Sequence, residues 1–182
     1  METDRREFIK KMKERGIIFN SEMVNAILDG RKTQTRRVIK PQPESFNGWV
    51  NGDWCGWPIA EGGGYIKCPY GEVGDILFGM ENYEFLGDDI SPRRIFCMTI
   101  EITGIRVERL REISDEDCWA EGIDEDDYNK VEHFLLGGSC IEEGSAERQV
   151  FSALWDSIYN GTEKEWDNNP WVWVIEFKRV EK

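Results

Sequence analysis

The strands that hydropathy predicts in this chain are not spaced by helices at regular intervals, and the missing βαβ alternation is what most limits the folds open to it. Strands are expected over 17–19, 33–39, 76–81, 93–102, 105–110 and 171–180, with only short helices among them. The last is apolar on both faces near its start, because Trp171, Trp173, Ile175 and Phe177 alternate with Val172 and Val174 before Glu176 and Lys178 appear. Such a mixture argues for a small α+β barrel rather than a doubly wound sheet. At 182 residues, one domain with its own core is expected over 1–182.

The helices carry their own punctuation. Asp4 and Glu7 form a capping box for a helix over 4–15, with Phe8, Ile9 and Met12 as its apolar stripe and Gly16 as its stop. Asn20 or Ser21 caps a second, whose Met23, Val24, Ile27 and Leu28 face inward until Gly30 ends it. Ser114 and Asp117 resemble another capping box, and Gly122 closes that short helix with Glu121 in its last turn. Ser145 caps a helix over 146–159 with an inward stripe of Val150, Phe151, Leu154, Trp155 and Ile158. Residues 44–70, rich in Gly, Trp and Pro, show no sustained period and are expected to be a long loop or insertion. Trp49, Trp54 and Trp57 there either pin the loop to the core or stack on a base.

Charge is distributed unevenly. The net charge is −13, yet residues 112–147 hold 13 acids against one base, Lys130, which leaves 23 acids against 22 bases elsewhere. An acidic segment of this kind suits a basic protein partner, and 124–144 within it is expected to be an insertion with partial order. Five cysteines without a C-x-x-C pair, and the single His133, lack metal-ligand spacing and point to isolated thiols in a reducing compartment. The charged N-terminus has no apolar core behind it and no apolar run approaches membrane-spanning length, so a cytoplasmic protein off the membrane is expected.

Against this background Gly30-Arg31-Lys32-Thr33-Gln34-Thr35-Arg36-Arg37 stands out, reading G-x-K-x-x-T-x-R between a helix and a strand. Arg31, Lys32, Arg36, Arg37 and Lys40 have no acid between them, a local patch suited to a phosphate or a polar base. Thr35 and Arg37 share one strand face, and Gln34 and Arg36 the other. Crowded positive charge also lowers a lysine pKa towards values useful for proton transfer.

Taken with Gly74-Asp75 at a strand start, the Ser-Asp-Glu-Asp-Cys-Trp-Ala-Glu-Gly helix and the terminal Trp-Val-Ile-Glu-Phe strand, this string resembles the ASCH domain, a branch of the PUA-like β-barrel superfamily, in its longer phage and prophage form. The resemblance leaves 44–70 and 124–144 outside it. It implies a PUA-like mixed β-barrel with flanking short helices, whose cleft receives a nucleoside or single-stranded RNA, and it calls for no cofactor and no metal. Gly30, Arg31, Arg37 and Glu81 would contact the ligand. Small bacterial members hydrolyse the amide of N4-acetylcytidine with a lysine, a threonine and a glutamate, which carry over to Lys32, Thr35 and Glu121. Where phage-type relatives tend to carry arginine before the strand glutamate, this chain has Met80 before Glu81. Three readings stay open at this point: amidohydrolase, non-catalytic binder of RNA or a modified base, and phage morphogenesis or interaction protein. The oligomeric state is not set by the sequence.

Overall fold

A computed structural model describes residues 15–46, 49–50, 53–54, 57–83, 93–127 and 144–180. Residues 4–14 of the helix expected over 4–15, and the stretch 128–143 with His133, lie outside the described residues. Five strands form the main sheet: β1 (Gly16–Phe19), β2 (Gln34–Val38), β7 (Ile76–Tyr83), β8 (Arg93–Arg109) and β9 (Trp171–Arg179), in the order β1-β7-β8-β9-β2. β1 runs parallel to β7 and the other pairs are antiparallel. The class is α+β, with the mixed sheet curled into a half-barrel and a few short helices beside it. Although β1 and β2 are the two edges, the Arg37 guanidinium on β2 donates to the Ile18 carbonyl on β1 at 2.7 Å, which shows how far the sheet has curled.

β9 explains its own sequence. Trp173, Ile175 and Phe177 enter one core with Ile17, Phe19, Leu77 and Ile100, while Val172 and Val174 enter a second with Leu110, Ile113, Phe151, Trp155 and Trp166. A strand buried on both faces needs apolar residues at consecutive positions, and each large side chain so buried contributes about 1.5–3 kcal/mol.

Three helices are placed by the capping residues that the sequence offered. Asn20 accepts from the Met23 N–H at 2.8 Å to start α1 (Ser21–Leu28). Ser114 accepts from the Asp117 N–H at 3.2 Å to start α2 (Asp115–Ala120), and Ser145 from the Arg148 N–H at 3.3 Å to start α3 (Ala146–Tyr159). Among the described residues no helix is long and apolar enough to cross a membrane.

Two expectations need correction. The strands expected over 93–102 and 105–110 are one 17-residue strand, because Gly104 makes a bulge rather than a break. A Cβ on Gly104 would lie 2.5 Å from the Glu176 carboxylate on β9, so any side chain there would make that carboxylate shift. Residues 44–70 are not a plain loop either. They hold two short ladders, β3 (Ser45–Phe46) with β6 (Pro58–Ile59) and β4 (Trp49–Val50) with β5 (Asp53–Trp54), each strand too short to leave a period in the sequence.

Candidate functional site

The basic string crosses from α1 to β2 under backbone control. Gly30 ends α1 with φ +78°, the N–H groups of Arg31 and Lys32 both donate to the Ala26 carbonyl, at 2.9 and 3.0 Å, and Thr33 donates to Ala120 at the end of α2 at 2.9 Å. This hook turns the Lys32 side chain away from water and towards the end of α2. Gly122, with φ +94°, makes room for it: a Cβ there would approach the Lys32 Cβ at 2.9 Å. Two glycines therefore set the path of one lysine.

Lys32 is 1% exposed and its Nζ donates to Glu121 Oε2 at 2.8 Å and to the Glu121 carbonyl at 2.7 Å. Burial holds the Lys32 pKa below the ordinary lysine value; Glu121 opposes that shift, and the charges of Arg37 and Arg36 add to it. The second carboxylate oxygen of Glu121 accepts from Arg36 Nη1 at 3.1 Å. Arg36 in turn reaches Glu108 at 2.9 Å and Asp117 at 2.7 Å, and Arg106 pairs with Glu108, Asp117 and Glu176. Although burial works against a charged Arg36, Glu121 and Asp117 outweigh it and leave its pKa raised. For Asp117, burial pushes upward, but the hydrogen bond and charge of Arg36 carry the carboxyl below its ordinary value.

This network corrects the reading of the string as an exposed basic patch. Lys32 and Arg36 are 1% and 2% exposed and neutralised by acids from β8 and α2. Part of the acidic segment thus finds its basic partner within the chain.

The expected site residues divide as follows. Lys32 and Glu121 meet. Thr35, Arg37 and Glu121 line one narrow cleft of about 30 Å³ together with Arg36, roofed by Leu154, Trp155, Ile158 and Tyr159 of α3. Lys32 does not line it, but stands behind Glu121. Arg37 stacks 5.4 Å from the Phe19 ring centre, pairs with no carboxylate among the described residues, and leaves its buried Nε without a partner. Gly30 and Glu81 do not line the cleft: Gly30 acts on the backbone, and Glu81 on β7 accepts from the Ser21 hydroxyl on α1. Arg31 faces a different groove, of about 250 Å³, where it lies 3.3 Å from Asp124 and donates to the Gly122 carbonyl; Glu121 forms part of that groove too.

Asp117, Glu108 and the α3 roof were not foreseen as part of the site, and Arg36 only as a member of the basic patch, not as a partner of Glu121. Asp117 was within reach of sequence reasoning, since it lies four positions before Glu121 and so on the same helix face. Arg36 was hidden by strand alternation, which placed it on the face opposite Thr35 without saying what covers that face.

No family model matches the sequence, and no curated protein matches it. Among solved structures, the chain is similar to a protein of Enterococcus faecalis V583 described by the DUF984 family model, at 12% identity over 98% of this chain and 91% of that one, with a TM-score of 0.45. It is also similar to an ASCH domain from Lactobacillus crispatus JV V101, at 16% identity over 86% of this chain and 69% of that one, with a TM-score of 0.33.

Proposed function

We propose that the cleft beneath α3 binds a pyrimidine nucleoside, free or within RNA, and that Lys32, Thr35 and Glu121 hydrolyse an acyl amide on its exocyclic nitrogen. The observation that carries this reading is the buried 2.8 Å contact between Lys32 Nζ and Glu121 Oε2, with Glu121 facing the same cleft as Thr35. A lysine whose pKa is held down by burial, hydrogen-bonded to a carboxylate, is a proton store with its outlet at Glu121.

In the reaction the Lys32–Glu121 pair takes a proton from a water or from the Thr35 hydroxyl as that oxygen attacks the acyl carbon. The carbonyl electrons move to oxygen, where Arg37 balances the developing charge. Collapse breaks the C–N bond, and the stored proton passes to the leaving amine. If Thr35 attacks, water then releases the acid from it in a second, similar step. The cleft holds about one water at its present size, so a pyrimidine enters only when the α3 side chains swing aside.

Acetate release from N4-acetylcytidine by the purified chain tests this. Wild type turns over, Glu121→Gln and Thr35→Val lose at least about a hundredfold in kcat while melting as folded proteins, and Thr35→Ser restores part of the rate. No turnover on a panel of N-acylated nucleosides sinks the hydrolase reading.

A second reading, a non-catalytic RNA or modified-base binder, draws support from Glu121 accepting from both Lys32 and Arg36, which suits a structural ion pair as well as a base. Binding of the nucleoside without acetate release selects it. The phage-morphogenesis reading, with 112–147 docked on a basic protein, is weakened by Asp117 and Glu121 already pairing with Arg36, Arg106 and Lys32.

A further inference from the structure

From the outer wall formed by Trp57 and Tyr65 we infer a second subsite, one that stacks the base of a nucleotide neighbouring the one in the cleft, so that the natural ligand is a single-stranded polynucleotide rather than a free nucleoside. The inference rests on the proposed function for what enters the cleft, and on separate residues for what lies beside it.

A cavity of about 710 Å³, ample for a nucleotide, opens between the 57–75 segment and Arg15. Trp57 and Tyr65 stand on its walls with 50% and 62% of their surfaces exposed. Trp57 is not loose: its ring is braced against Trp173 of β9, centre to centre 6.4 Å, which holds the open remainder as a fixed platform. A rigid, half-open indole suits a base, because every base offers a π-face and little side-chain entropy is lost on stacking.

Among the described residues, the charge in the cavity suits a single phosphate. Arg15 is paired with Asp75 at 2.6 Å, and Asp75 also accepts from the Glu72 N–H, so that carboxylate is occupied. Lys67 has no carboxylate partner among the described residues and is exposed, while Glu72 keeps the local field near neutral. Stacking therefore supplies most of the binding, with Lys67 adding a single phosphate contact.

The cavity and the cleft are joined along the chain. Cys68 lines the cavity, and Tyr70 two residues on packs against the first core. Trp173, against which Trp57 rests, is the ladder partner of Arg37 on β2, and Arg37 is a wall of the cleft. On this arrangement a strand of nucleic acid with one base beneath α3 lays its neighbouring base against this wall, which is what the titration below tests.

The test is titration of the full chain with a fluorescently labelled six-nucleotide single-stranded RNA and, in parallel, with cytidine monophosphate. Wild type binds the oligonucleotide more tightly than the mononucleotide. Trp57→Ala and Tyr65→Ala each weaken oligonucleotide binding by roughly 5- to 150-fold, the range for one lost stack, and Trp57→Phe restores it. Lys67→Gln flattens the log Kd against log salt slope by about 0.7, as expected for one phosphate. Because Trp57→Ala also removes contact with Trp173, Tyr65→Ala, at the more exposed ring, serves as the variant that leaves that contact in place, with its thermal melt recorded alongside. Unchanged oligonucleotide affinity in Tyr65→Ala, or equal affinity of wild type for the mononucleotide and the oligonucleotide, overturns the inference. Oligonucleotide binding that Tyr65→Ala weakens, with no acetate release from N4-acetylcytidine, leaves this subsite standing and removes the hydrolase reading; acetate release with Tyr65-independent binding does the reverse.

Discussion

At the floor of the cleft both carboxylate oxygens of Glu121 have partners and Lys32 is sealed from water, whereas at the outer wall Trp57 leans on Trp173 with one edge and leaves half its surface to solvent. The floor is made of charges whose positions are fixed by what surrounds them. The wall is made of rings that leave half or more of their surface to solvent. The difference teaches where sequence change is tolerated. A buried charge that loses its partner keeps its desolvation cost, whereas a half-exposed ring that is removed gives up much less buried surface.

Breaking the comparison at its strongest point gives the largest effect. Lys32→Met strands Glu121 against Arg36 alone, and a loss of about 3–5 kcal/mol in urea unfolding is expected, as for other broken buried pairs. In the Lys32→Met, Glu121→Met double variant the losses do not add, because the stranded charge is gone; additive losses in that cycle would show that the pair is not coupled.

The next effect is a pH dependence. Asp117 is held below its ordinary pKa, so the folded chain binds its proton less readily than the unfolded chain does. Its contribution to stability is complete above the ordinary carboxylate range and disappears as pH falls through the lowered pKa. Lys32 works from the other end: with its pKa lowered, the folded chain holds fewer protons than the unfolded one, and stability rises with pH from that lowered value up to 10.5. Thermal midpoints against pH should lose the acid slope in Asp117→Asn and the alkaline slope in Lys32→Met. Identical profiles in wild type and Asp117→Asn would refute the assignment of the acid limb.

The smallest effect sharpens the comparison from the other side. Tyr65→Ala, at the wall, should leave unfolding free energy within about 0.5 kcal/mol of wild type. A loss several times larger would mean that the wall is structural after all.

What was legible in the sequence was what local chemistry decides. Asn20, Ser114 and Ser145 announced three helix starts because a short polar side chain before an apolar run satisfies a free N–H. The double-sided apolar run of β9 announced a strand covered on both faces. The meeting of Lys32 and Glu121 was legible only through the resemblance, since 89 positions separate them and no period spans that distance. Arg36 was read as part of a surface patch because its sequence neighbours are basic, while the acids that bury it come from positions 108, 117 and 121. Gly104 reads as a break because glycine so often ends a strand, and only the pairing with β9, which carries a bulge there and runs on, shows one continuous strand.

The contact between Arg37 and the Ile18 carbonyl has one more consequence. β1 and β2 stand at opposite ends of the strand order and share no ladder, so the half-barrel has a seam that the Arg37 guanidinium bridges, to the Ile18 carbonyl and over the Phe19 ring. A seam held by a side chain can be undone and refastened without disturbing the backbone ladders on either side. The button is also one wall of the cleft, so under the proposed function guest and closure would compete for the same group.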